Sequence, residues 1–190
     1  MARHDCQARS KERPDLGVCE PDEEITSYGI QVDFGGNIWF VEVGSEHVAK
    51  LDPKTGTITE YKTPTPKSGP RRMTIDPQGI IWYAEWDAHK IGYINPKTLE
   101  QKEFTPPSHP KTGTYAIASD GAGNLYVAEF ISNQVSRFEP KTGKWTEWPM
   151  PLRRSRVRNI VVDPKASVWD PGRPGGLTVE YPVRRGESGL

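Results

Sequence analysis

Apolar and polar residues alternate along this chain in short runs, and the runs recur. "SYGIQVDF" alternates and stops at Gly35 and Gly36; "NIWFVEV", "HVAKLD" and "TITEYK" follow, separated by turn residues. A period of two, carried by β-branched and aromatic side chains, predicts strands rather than helices. The turns are explicit as well. "DPKTG" (Asp52–Gly56) and "EPKTG" (Glu139–Gly143) put Pro at the first central position of a tight turn and Gly where a left-handed backbone closes a hairpin. The middle copy, "NPKTL", has Leu99 in place of that Gly, which predicts a cost there and a different turn.

The pattern has a fixed frame. Asp33, Asp76, Asp120 and Asp163 stand 43, 44 and 43 residues apart, each followed six residues later by an aromatic: Trp39, Trp82, Tyr126 and Trp169. Glu42, Glu85 and Glu129 each come three residues after their aromatic. The one added residue of the second interval falls between Pro96 and Asp120, in the Pro-rich "TPPSHPKTGT". Four short strands in about 43 residues is the unit of a β-propeller blade. A lone blade cannot bury both faces, so Trp39, Trp82 and Trp169 are expected to pack between blades. The repeated Glu residues are expected to hydrogen-bond from blade to blade, with a carboxylate ring around a cation as the alternative.

The predicted fold is all-β, a partial propeller of about three and a half four-stranded blades. The blades span about 25–67, 68–111, 112–154 and a shortened 155–183, between an irregular tail (1–24) and a loose end (184–190). The fourth copy begins as the others do, "RNIVVDPKASVWD", then breaks at Asp170 and "PGRPGG" before "LTVEYPV", Leu177–Val183, returns as a fourth strand. An unclosed array leaves apolar faces and strand edges exposed. A homodimer completing the ring is one expected outcome, and a closed four-bladed monomer another.

Composition narrows the partners. Lys plus Arg and Asp plus Glu number 25 each, so the formal net charge is zero. That predicts no nucleic-acid binding, because a polyanion binder needs a basic excess to release counterions. "RRSRVR" (Arg153–Arg158) is read as a solvated loop. No apolar run approaches a membrane span, so no membrane partner is expected. The start carries no signal-like segment, which predicts the cytoplasm if Met1 is the true start. Cys6 and Cys19 match neither a zinc nor a redox spacing and are read as free thiols, with a local disulfide as the lesser reading.

"GNIWFVE", "KIGYINPKT", "TITEYKTPTPKSGP" and "SYGIQVD" resemble the repeats of the streptogramin B lyase (virginiamycin B lyase) family of seven-bladed propellers, over about residues 25 to 163. The resemblance implies enzymes that linearise cyclic depsipeptide antibiotics, and so confer resistance, by eliminating across an ester C–O bond. It implies a magnesium ion that helps to hold substrate, and a histidine acid–base at the start of a blade's innermost strand with a Glu two residues before a second one. That histidine position reads Tyr28, Arg71, Tyr115 and Arg158 here, and two residues earlier stand Thr26, Gly69, Gly113 and Arg156. None is histidine and none acidic. His4, His47, His89 and His109 share no ligand spacing and are read as solvated loop residues.

No catalytic or metal residue is assigned, no cofactor is expected, and magnesium belongs only to the lyase alternative. The expected function is a non-catalytic or fragmentary propeller holding a small anionic or aromatic ligand at its mouth. Tyr28, Arg71, Tyr115 and Arg158 are the candidate ligand-binding residues, with Arg72 adjacent. The bland reading has Tyr packed and Arg solvated at the rim.

Overall fold

The structure, a computed structural model, describes residues 26–108, 110–150, 153–164 and 167–169. Cys6, Cys19, His4, His109, both terminal tails and the strand expected at Leu177–Val183 lie outside the described residues. The rest is strand and turn, without a helix among the described residues.

Among the described residues fourteen strands form in chain order: β1 (Thr26–Val32), β2 (Ile38–Val43), β3 (His47–Asp52), β4 (Thr57–Lys62), β5 (Pro70–Ile75), β6 (Ile81–Glu85), β7 (Lys90–Ile94), β8 (Gln101–Phe104), β9 (Thr114–Ser119), β10 (Leu125–Glu129), β11 (Gln134–Glu139), β12 (Lys144–Pro149), β13 (Val161–Val162) and β14 (Val168–Trp169). They make three four-stranded antiparallel meanders in sequence order and a two-stranded fourth, β13–β14. The array is a partial β-propeller, whose fourth copy is represented among the described residues by β13 and β14.

The repeated Asp and aromatic are bonded partners. Trp39 Nε1–H donates to Asp33 Oδ2 at 2.9 Å and Trp82 Nε1–H to Asp76 Oδ2 at 2.9 Å. Trp169 donates to Asp163 at 3.2 Å, and the Tyr126 hydroxyl reaches Asp120 at 3.5 Å. The other carboxylate oxygen accepts from the backbone two and four residues on, as from Gln78 and Ile80, and so shapes the turn into the second strand.

Three apolar clusters lie between blades, one per junction. Trp39, Val41 and Val48 of the first blade pack on Met73, Ile81, Tyr83 and Ile94 of the second. Trp82, Ala84 and Ile91 of the second meet Ile117, Leu125, Val127 and Phe138 of the third. Tyr126, Ala128, Val135 and Met150 of the third meet Val157, Ile160 and Val168 of the fourth. The expectation for Trp39 and Trp82 is met, and burying each aliphatic or Phe side chain here is worth about 1.5–3 kcal/mol. Two polar latches repeat across the junctions. Thr65, between the first and second blades, hydrogen-bonds Glu103 of β8 through its N–H (2.7 Å) and hydroxyl (2.5 Å), and Lys90 closes on the same carboxylate at 2.7 Å. Ser108 repeats the contact with Glu147 of β12 at 3.0 Å and 2.8 Å.

One expectation is corrected. The Leu99 turn does not differ from its sisters. Leu99 takes φ 62°, beside 70° and 71° at Gly56 and Gly143, and its N–H bonds the Asn95 carbonyl at 2.8 Å as theirs bond Asp52 and Glu139. The hairpin hydrogen bonds of β7 and β8 hold the backbone in register, so the side chain accepts the left-handed conformation. The repeated Glu residues bond within their own repeat and, where Glu129 accepts from Ser108 of the second blade, across a junction as expected. Glu42 accepts from Ser45 at 2.8 Å; Glu129 accepts from Ser108, Ser132, Gln134 and Ser136. Each is buried at the end of its strand.

Candidate functional site

The first strand of each blade is an edge of its sheet, and these strands lie side by side: β1 against β5, β5 against β9, β9 against β13. The starts of these strands are irregular. Pairing with the second strand skips between Ser27 and Ile30 in β1 and between Pro70 and Met73 in β5. In β9 the same irregularity falls at Tyr115, between the pairs Thr114–Glu129 and Ala116–Ala128. Such bulges re-aim a side chain out of the alternation. Tyr28, Arg71, Arg72 and Tyr115 all sit on them.

The bulges bring residues from three blades together. The Tyr28 and Tyr115 hydroxyls hydrogen-bond each other although 87 residues separate them, and their rings meet edge-on at 6.0 Å. The Arg71 guanidinium lies 5.7 Å from the Tyr28 ring and 5.9 Å from Trp86, and Arg72 lies 5.5 Å from Tyr28. Close approach of β1 to β5 needs Gly29, where a Cβ would come within 2.7 Å of the Arg71 carbonyl oxygen. Arg158 reaches the cluster from the fourth blade, 5.7 Å from the Phe130 ring, with Arg156 at 5.8 Å from the same ring. The structure therefore gathers all four candidates, Tyr28, Arg71, Tyr115 and Arg158, into one patch.

Two aromatic residues complete it that the sequence reading passed over. Trp86 stands edge-on to Tyr115 at 5.5 Å and to Phe130 at 5.3 Å, while Phe130 stacks on Tyr115 at 5.8 Å. Each follows the repeated Glu directly, at the place where the first blade has Val43, and that frame position was the available signal. In "RRSRVR" Arg153, Arg154, Arg156 and Arg158 are all exposed, as a solvated loop predicts; Arg156 and Arg158 also lie over Phe130, and Phe130, Ile131, Asn133, Arg154 and Arg156 line a cleft of about 280 Å³. His89 has a structural task too: its Nδ1 accepts the Gly113 N–H at 3.0 Å, tying the second blade to the third.

The patch is cationic and phenolic. Tyr115 is 9% exposed and Tyr28 38%. Burial, then the Tyr28 hydroxyl, pushes the Tyr115 phenol above its ordinary value, with Arg158 and Arg71 offsetting in part. Nε of Arg71 and Nε of Arg72 are buried without a hydrogen-bond partner. A magnesium ion does not fit this donor set. Guanidiniums repel a divalent cation, the Tyr115 phenol is shifted up, and no three acidic, His or Cys side chains converge among the described residues.

The chain matches the model of the virginiamycin B lyase family over residues 17–173. Among solved structures it is similar to a selenomethionine-substituted virginiamycin B lyase from Staphylococcus aureus, at 30% identity and TM-score 0.70, over 75% of this chain and 47% of that one. It is similar to a streptogramin B lyase at 27% identity and TM-score 0.74, over 80% of this chain and 50% of that one. A catalytically inactive histidine-to-alanine virginiamycin B lyase from Staphylococcus aureus, with quinupristin, is similar at 25% identity and TM-score 0.74, over 87% of this chain and 58% of that one. The chain spans about half the length of these structures. No curated protein matches it.

Proposed function

The chain belongs to the virginiamycin B lyase family, and on that premise we propose that it is a non-catalytic propeller of the family that binds a small anionic or aromatic ligand at its mouth. The observation that carries the reading is the chemistry at the four strand starts. Elimination across an ester needs a base for the α-proton. Arginine stays protonated at every accessible pH, and the Tyr115 phenol is shifted up, away from acting as a base near neutrality. What remains is suited to binding. The unpartnered Nε–H groups of Arg71 and Arg72 can donate to a carboxylate, and Trp86, Phe130 and Tyr115 offer faces and edges for an aromatic ring.

The alternative is a lyase that linearises cyclic depsipeptide antibiotics, and the family match favours it. Incubation with a streptogramin B and magnesium, followed by chromatographic retention of the antibiotic, separates the two. Unchanged retention is the expected result. Linearised dehydro product, abolished by chelator, would sink the non-catalytic reading. Binding is read from quenching of tryptophan fluorescence by an aromatic carboxylate such as 4-hydroxyphenylacetate. Saturable quenching is expected, weakened roughly ten- to hundredfold by Arg71→Ala, the loss of a charged hydrogen bond. Absence of saturable quenching at millimolar probe overturns the ligand assignment.

A further inference from the structure

Each blade has two unlike faces, and the strand register shows which residues share them. In the second blade Met73 pairs with Tyr83 and Ile75 with Ile81, so these four share a face, the one that receives Trp39 of the blade before. Thr74 pairs with Trp82 on the opposite face, which meets the third blade. A receiving face of aliphatic residues and Tyr thus meets a donating face built round the Asp-anchored aromatic, at each of three junctions.

The two ends of the array leave one of each. In the first blade Ile30 pairs with Phe40 and Val32 with Ile38, which makes theirs the receiving face. Ile30 and Val32 are 64% and 62% exposed, whereas Met73, which occupies the place of Ile30 one blade on, is 4% exposed. In the fourth blade Val161 pairs with Trp169 on the donating face. Trp169 there is held by Asp163 as its counterparts are held.

We propose that these two faces dock on each other between two copies of the chain, closing one ring about a two-fold axis. Three observations select a second copy as the occupant. The required contact is one the chain already makes at each internal junction, so its shape and apolar character need no new surface. The chain covers 47%, 50% and 58% of the propellers it resembles, so two arcs amount to about one ring. A net charge of zero raises no long-range repulsion between copies. Each junction is heterologous, yet two of them close a ring when the arcs are half-turns.

The contact can be located to a residue pair. Gln31 Nε2 of the first blade reaches the Met73 carbonyl of the second at 3.5 Å. Val161 occupies the frame position of Gln31, and Ile30 that of Met73. Val161 of one copy therefore lies beside the Ile30 backbone of the other. The same docking brings Arg158 of each copy toward Tyr28 of the other, so the mouth is completed by its neighbour.

Size-exclusion chromatography with light scattering on the full chain tests this. The expected mass is twice the chain's 21.3 kDa. Ile30→Glu, at an exposed position whose counterpart Met73 is buried in a formed junction, should raise the dimer dissociation constant at least about tenfold by burying an unpaired charge. Val161→Lys, whose counterpart Gln31 stays exposed in a formed junction, should change it little. A wild-type monomer at about 0.1 mM, with the receiving face covered by the chain's own first 25 residues or by nothing, overturns the proposal. A ladder of open polymers overturns ring closure. A dimer insensitive to Ile30→Glu puts the interface elsewhere and overturns it too.

Discussion

The Trp82 indole donates its only hydrogen bond to Asp76, six residues upstream, at 2.9 Å, in the junction between the second and third blades. The bond ties the aromatic that fills the junction to the turn that starts its strand. Asp76→Ala strands the indole N–H and the backbone N–H groups of Gln78 and Ile80 together. The expected loss is about 3 kcal/mol, since buried donors to a charged acceptor are left unpaired. Urea denaturation followed by tryptophan fluorescence should show a lower midpoint at unchanged slope.

Leu99 is 51% exposed at φ 62°, in a turn whose sister copies use Gly. A left-handed backbone costs a side-chain-bearing residue about 1–2 kcal/mol, and glycine avoids that cost while adding freedom to the unfolded chain. Leu99→Gly should therefore raise stability by about 0.5–1 kcal/mol. Thermal unfolding checks it. A lower midpoint would mean that the Leu side chain contributes packing that outweighs the strain.

Glu85 is fully buried, and its carboxyl is pushed up to about 8. Burial is the main cause and the Glu103 carboxylate adds to it, with Lys90 pulling the other way. The folded chain thus keeps a proton that the unfolded chain releases above the ordinary 4.5. Its contribution is whole below that value and is lost as pH rises through about 8. Glu103, held below its ordinary range, contributes a constant amount over the same window. Tyr83, beside Glu85, is shifted up beyond the window. Urea midpoints should fall between about pH 5 and pH 8.5, and Glu85→Gln should flatten that fall.

Much of the fold was legible because a propeller repeats in sequence what it repeats in space. The Asp-to-aromatic interval marked the blades, and the alternation marked which side chains leave the strand on one side. What the interval did not disclose was its cause, the carboxylate-to-indole bond, because spacing alone cannot separate a bonded pair from two independently buried residues. Leu99 misled for a related reason. Local preference argued for another turn, and the pairing of β7 with β8 overrode it.

The candidate site divides along the same line. Tyr28, Arg71, Tyr115 and Arg158 were readable as equivalent positions of a repeat. Their equivalence could not say that the phenols of the first and third blades would touch, or that Trp86 and Phe130 would wall the patch.

Blade number, strand order and the chemistry of each junction follow from periodicity, since alternation assigns every side chain to a face and each face needs a neighbour to bury it. The composition of the mouth does not follow from periodicity. Bulges at the strand starts interrupt the alternation, and only the curvature of successive blades brings residues 43 and 87 positions apart into contact.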